Sequence, residues 1–354
     1  MEEFKSENKL DFFAAANTYN GFVSYFDKVF PSEEFDRIYV LKGGPGTGKS
    51  SFMKKVSATF KKSTYRVENI YCSSDPNSLD GVIISGDNKK VAILDGTAPH
   101  ERDAKIPGAV DEIINLGEQW DKAWLTAQRK EIIDKVALKD ECYKSAYDYL
   151  NIAGAAYRVI KSTYLPHFDK PKAKYTAESI LQDIPRSKDG VITTRLISSF
   201  GRFGEYRLST FQSLPVRKIF VGGDEICASI FLDICMSILR TREVNILHCP
   251  TALDPCSTDA IYLPDYNLVI TRRASDEVNA DHLFNLSQTD RDKINKATQL
   301  HSDAIFEAKR WFNIASDIHF SLEEIYSRAM NFYKTDLLID KTIDEIGIIL
   351  EKAI

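Results

Sequence analysis

No apolar run in the 354 residues approaches the length needed to cross a bilayer. The opening Met1-Glu2-Glu3 lacks the basic and apolar regions of a signal peptide. A cytoplasmic protein without a membrane partner is therefore expected. Positive charge is not in excess: 46 Lys and Arg against 51 Asp and Glu leave a net charge of −5, so bulk attraction to nucleic acid is not indicated. The six cysteines (72, 142, 227, 235, 249 and 256) have no C-x-x-C spacing and read as reduced core thiols. The six histidines form no ligand pattern; His248, Cys249 and Cys256 are the nearest thing to a metal grouping. Proline is missing after Pro264, and the only later glycine is Gly347, so from about Ser275 the chain should be helical to its end.

What is present is a glycine-rich octapeptide. Residues 43–50 read Gly43-Gly44-Pro45-Gly46-Thr47-Gly48-Lys49-Ser50 and match the Walker A pattern G-x-x-x-x-G-K-[ST]. Backbone N–H groups converge on phosphate oxygens only where no side chain blocks the approach, which the glycines permit. Lys49 supplies a cation for the β- and γ-phosphates, and the Ser50 hydroxyl a ligand for Mg2+. A helix opening at Lys49, with Ser51 in its first turn, adds its N-terminal dipole. The context agrees: Ile38-Tyr39-Val40-Leu41 is an apolar β-rich run, and Ser51–Phe60 has helical character. Val91-Ala92-Ile93-Leu94-Asp95 reads as a buried strand ending in an acid, the Walker B form, whose carboxylate would hold Mg2+. ATP and Mg2+ are the expected cofactors.

The same stretch recurs without its chemistry. Gly222-Gly223-Asp224-Glu225-Ile226-Cys227-Ala228-Ser229 lies 179 positions after the first copy, with Ala228 in place of Lys49 and Asp224 and Glu225 in place of Pro45 and Gly46. Asp75-Pro76-Asn77-Ser78-Leu79-Asp80 recurs at that spacing as Asp254-Pro255-Cys256-Ser257-Thr258-Asp259. Leu268-Val269-Ile270-Thr271-Arg272 stands where the Walker B strand should be, with Arg272 in place of its acid. Asn151-Ile152-Ala153 and Tyr164 recur as Asn313-Ile314-Ala315 and Tyr326 at spacing 162, so a segment peculiar to the first half lies within about Gly96–Trp120. Alternating strands and helices predict an α/β fold, a duplicated P-loop architecture of mostly parallel sheets flanked by helices. Residues 1–190 would form a nucleotide-binding domain with a helical arm, and residues 191–354 a degenerate one with a C-terminal arm. Each arm is expected to pack around its sheet or to project as a hairpin toward a protein partner.

The GGPGTGKSS loop, the CSSDPNSLDG motif at Cys72–Gly81, ILDGTAPH ending at His100, and the degenerate second half resemble a family of bacterial tandem P-loop ATPases. The resemblance covers nearly the whole chain. It implies ATP and Mg2+, with activities described as ATPase or nucleotide kinase. Family members with two Gly-Lys-Thr-type loops differ from this chain, whose second loop lacks the lysine.

The neighbour of Asp95 is Gly96 and not the Glu that often orients an attacking water, so other residues must be considered. Asp75 and Asp80 are placed to face a γ-phosphate, but their twins Asp254 and Asp259 persist in a half without the lysine, which points to Asx-turn or capping roles. Thr97, His100 and Glu101 have no twins and are candidates for γ-phosphate sensing or water positioning; a loop histidine capping a turn is the other reading of His100. The expected function is Mg2+-dependent ATP hydrolysis at one site, with Lys49 and Asp95 at its centre and a regulatory second half. The alternatives are a kinase for a small-molecule acceptor held by residues 96–120, and an ATP-binding regulatory module without useful turnover. Arg272 or Arg273 would act as an arginine finger toward the first loop if the halves faced each other there, or else pair with Asp276 and Glu277.

Overall fold

A computed structural model describes residues 9–61, 64–273 and 277–351. In chain order the first part contains β1 (Lys9–Phe13), the hairpin β2 (Ala15–Thr18) and β3 (Gly21–Ser24), α1 (Phe26–Val29), β4 (Arg37–Lys42), α2 (Lys49–Phe60), β5 (Arg66–Tyr71), β6 (Leu79–Ser85), β7 (Lys90–Asp95), β8 (Asp111–Asn115), α3 (Lys122–Ala127), α4 (Arg129–Tyr164) and α5 (Lys170–Ile180). The second contains β9 (Ile192–Thr194), the hairpin β10 (Ser198–Gly201) and β11 (Gly204–Arg207), β12 (Arg217–Gly222), α6 (Glu225–Arg242), β13 (Ile246–Pro250), β14 (Thr258–Leu263), β15 (Leu268–Arg272), β16 (Val278–Asn279), α7 (Gln288–Ala329) and α8 (Phe332–Glu351). The expected helix thus begins at Gln288; Ala274, Ser275 and Asp276 lie outside the described residues.

Two six-stranded mixed sheets result, ordered β1-β5-β6-β7-β4-β8 and β9-β13-β14-β15-β12-β16. The orders correspond strand for strand. In each, one strand, β6 or β14, runs antiparallel to both neighbours, and the other pairings are parallel. Most of the central strands read as unbroken apolar runs because both faces are buried. In β4, Tyr39 and Leu41 face α2 and α8, while Ile38 and Val40 face a core shared with the second sheet. In β15, Val269 joins that shared core and Leu268 and Ile270 pack against the helices of the second sheet.

The arms cross over. Ile160 and Tyr164 of α4, with Ala173 and Ala177 of α5, are buried in the core of the second sheet beside Phe231 and Cys235 of α6. Conversely α8 buries Ile339, Ile346 and Leu350 against the first sheet and α2, each worth about 1.5–3 kcal/mol of apolar burial. Its buried positions Thr335, Ile339, Thr342, Ile346 and Leu350 form one helical stripe. The arms therefore neither wrap only their own sheets nor project free. The 36-residue α4 and the 42-residue α7 lie antiparallel, joined by Lys135 to Ser321, by the Tyr143 and Tyr147 rings against Phe312, and by Tyr19 to His301 at the far end, where Tyr19 also meets Tyr157. Equivalent backbone bonds dock each arm on the other half: Asp121 N–H to Ala329 O and Asn331 N–H to Gln119 O, against Asn285 N–H to His167 O and Asp169 N–H to Leu283 O.

Candidate functional site

Parallel pairing of β4 with β7 sets Leu41 opposite Asp95, so the Gly43–Ser50 loop and the acid emerge side by side at one sheet edge. Gly46 (φ +65°) and Gly48 (φ +87°) occupy the left-handed region, where a side chain would be strained. The loop then enters α2, whose N-cap Gly48 provides no side-chain cap. The N–H groups of that first turn are left for another acceptor. Thr47 Oγ1 donates to Gly44 O at 2.9 Å. Lys49 Nζ is folded back on its own loop, donating to Gly43 O (2.9 Å) and Gly44 O (2.8 Å), and stands 3.6 Å from Asp95 Oδ2. Ser51 is exposed on the first turn.

Asp95 Oδ1 accepts the backbone N–H (2.9 Å) and the hydroxyl (2.6 Å) of Thr97, which fixes the carboxylate. Ser50 Oγ accepts the N–H of Leu79 at 3.0 Å, and the next residue, Asp80, is buried. The β6–β7 register pairs Gly81 with Leu94, so one step further Asp80 meets Asp95. Burial pushes the Asp80 carboxyl up to about 6, the nearby His100 opposing and the like charge of Asp95 adding to the rise. The loop Gly96–Val110 delivers His100, whose ring stacks on Phe26 at 4.3 Å, and whose Nε2 stands 3.9 Å from Asp80 Oδ2. Buried Arg102 anchors that loop by donating to Phe30 O, to Ser32 Oγ at 2.8 Å and to Asp111 Oδ1 at 3.3 Å. Glu101 is exposed and takes no part in these contacts.

Asp75 and Asp80 separate here. Asp75 Oδ1 accepts the Asn77 N–H at 3.0 Å in an Asx turn, and Asp254 accepts the Cys256 N–H at 3.3 Å in the same way. The placement of Asp75 is thus architectural, whereas Asp80 faces Asp95 and His100. The signal that singles out Asp80 was in the chain: a short turn near Gly86 between two apolar strands folds Asp80 back onto Asp95.

The end of α7 sits on the loop. Ser327 Oγ donates to Gly46 O at 3.0 Å, and the Glu323 carboxylate stands close enough to the loop for Gly46 and Lys49 to lower its pKa. A Cβ at Gly46 would collide with the Glu323 backbone and lie 2.7 Å from Ser327 Oγ. A Cβ at Gly44 would lie 3.2 Å from the Tyr326 ring, which packs on Trp120. His319, 3.5 Å away, and then the Gly46 N–H and Lys49 hold the Glu323 carboxyl below the usual range. An internal carboxylate therefore stands beside the loop. Nothing local in the sequence marks Glu323 for this contact.

In the second half, the Asp224 carboxylate caps α6 by accepting from Ile226 and Cys227 N–H. The Asp224 N–H itself donates to Asp281 Oδ1 at 2.7 Å. Fully buried Asp259 is bracketed by Arg207 (2.6 Å) and Arg272 (3.0 Å), which hold its carboxyl below the ordinary range against the cost of burial. Arg272 also reaches Glu225 at 2.9 Å and Glu205 at 3.5 Å. Three carboxylates of its own half thus engage Arg272, and the expected reach to the first loop is not what the side chain does. Arg273 lies over the Phe220 ring at 5.2 Å. Of the two acids expected to pair with them, Asp276 lies outside the described residues. His248 bonds Thr258 Oγ1 at 3.2 Å, Cys249 is buried and Cys256 exposed, and the three do not form a metal cluster.

Among the described residues no helix is long and apolar enough to cross a membrane. No family model, no characterised protein and no solved structure matches the chain.

Proposed function

We propose that the protein is a duplicated P-loop ATPase with one Mg2+-dependent ATP site, at Gly43–Ser51, and a second half that binds no nucleotide. The observation that carries the reading is a loop equipped for an anion and covered by the end of α7. The Gly43–Ser50 backbone, the uncapped start of α2 and Lys49 converge at one place, and the end of α7 sits on Gly46, with Ser327 bonded to its carbonyl and Glu323 packed against it. The matching strand orders and the capped, lysine-free loop of the second half support the duplication.

In this reading Lys49 leaves the Gly43 and Gly44 carbonyls for the β- and γ-phosphates, and Glu323, of like charge to the phosphates, gives up Gly46. Ser50 Oγ and the Asp95 carboxylate are hard oxygen donors that suit Mg2+, which when bound neutralises charge developing on the phosphates. Thr97 keeps Asp95 oriented, and Asp80 is the buried acid nearest to it. Release of Glu323 frees the end of α7, so occupancy of the loop is transmitted to the α4–α7 pair. Closure by α7 also favours, as a second reading, a regulatory module that binds ATP with little turnover.

The test is calorimetric titration with a non-hydrolysable ATP analogue and Mg2+, paired with phosphate release from ATP and hydrogen exchange over residues 319–331. One site per chain, loss of protection in that segment and slow phosphate release are expected. Binding without release selects the regulatory module, and phosphate transfer only to an added acceptor selects a kinase. Two sites per chain, or no binding, overturns the proposal.

A further inference from the structure

Beside the loop lies a set of side chains that the ATP reading leaves only partly used. One ligand atom each from Asp80, Asp95 and His100 falls within 4.8 Å of the others. Three ligands of one divalent ion at about 2.0–2.2 Å stand roughly 3–3.7 Å from one another, so a contraction of about one to two ångströms would complete a site.

Two acids close together would be ordinary if a partner neutralised them. Here the imidazole is the anomaly. His100 is 7% exposed, and its Nε2 is buried with no hydrogen-bond partner. At 3.9 Å from Asp80 Oδ2 it is too distant to bond and close enough to share a third atom. The outer contacts are those that orient ligands: Thr97 on Asp95 Oδ1 and Phe26 stacked on the ring.

The second half supplies an internal comparison. The twin of Asp80, Asp259, touches two guanidinium groups, one of them Arg272 at the position of Asp95. Where the chain carries its own cation, the acid pair and the histidine are absent. Where the acid pair and histidine are present, the Lys49 ammonium stands on the Asp95 side. Borderline ligands such as imidazole suit Mn2+, Fe2+, Co2+ or Zn2+ better than Mg2+, which prefers oxygen.

We propose that Asp80, Asp95 and His100 form a binding site for a divalent transition-metal ion, which they hold without nucleotide. The site shares Asp95 with the Mg2+ site of the ATP reading but rests on this cluster alone.

The experiment uses the full chain and Mn2+ alone. Free Mn2+ is counted by room-temperature EPR, and the bound ion is probed by pulsed EPR for nitrogen-14 coupling. One Mn2+ per chain with imidazole nitrogen coupling is expected. Asp80→Asn and His100→Gln should each weaken binding by about tenfold to a hundredfold or more, the scale of losing part of a coordination shell. Lys49→Ala should leave Mn2+ bound as tightly or more tightly, because it removes a competing cation. Should either cluster variant fail to fold, the nitrogen coupling in the unaltered protein still decides. No Mn2+ binding without nucleotide at millimolar concentration, binding without nitrogen coupling, or unaltered affinity in both variants would overturn the site. A protein that holds Mn2+ this way but ignores ATP would keep this proposal and sink the ATP reading.

Discussion

The two halves place an aspartate at the same point of the same sheet and neutralise it differently. In the first, Asp80 faces a second acid, Asp95, and an unpartnered histidine; in the second, Asp259 faces Arg272 and Arg207. The loops differ in the same sense. The start of α2 has no side-chain cap, while Asp224 caps α6 with its own carboxylate. The second half thus holds a cation and an anion of its own where the first half has an acid pair and an uncapped helix start.

The strongest way to break the comparison is Arg272→Ala. It leaves a fully buried Asp259 with one partner. Breaking a buried pair costs about 3–5 kcal/mol, and since Arg207 remains, about 3 kcal/mol is expected in urea unfolding. The double variant Arg272→Met with Asp259→Leu should recover most of it. A loss under about 1 kcal/mol for the single variant would show that Arg272 is not the built-in cation.

Lys49→Ala should weaken ATP by ~1.5–3 kcal/mol, roughly ten- to a hundredfold by calorimetry. Ala228→Lys should create no second site, because Asp224 still caps α6 and Arg272 still holds Asp259. Equal effects of the two substitutions on stoichiometry would erase the distinction between the loops.

Acid should affect the halves unequally. His248 stands where the first half has Asn69, and burial, then Arg240, lowers its pKa from 6.5 to about 4. A depressed imidazole binds fewer protons folded than unfolded. Its contribution is therefore complete above pH 6.5 and lost as pH falls toward 4. Allowing for its partial exposure, about 2 kcal/mol should vanish across that window, and His248→Gln should flatten the profile. A parent and variant with superimposable acid curves would contradict this.

The smallest effect concerns the internal anion. Glu323→Gln removes a negative charge beside the loop and should tighten ATP by about 0.5–1.5 kcal/mol, roughly two- to tenfold. Weaker binding in this variant would mean that Glu323 assists the nucleotide and does not exclude it.

Much of this was legible in the order of residues because it is local. The glycines at left-handed positions, the helix opening at Lys49, the apolar strand ending at Asp95 and the long helices free of proline each follow from φ preferences, hydrogen bonding or periodicity within a few residues. The second copy was legible because each lost residue could be set against its twin. Asp80 sat at the border: the twin argument made it architectural, as it makes Asp75, yet the hairpin register turns it onto Asp95. The exchange of arms, the seat of Glu323 on Gly46 and the approach of His100 to Asp80 were decided only in three dimensions. Gly46 and Glu323 share no pattern along the chain, and their meeting depends on where α7 ends after packing along α4. That packing is set by apolar area buried between segments far apart in sequence, an energy with no local signature.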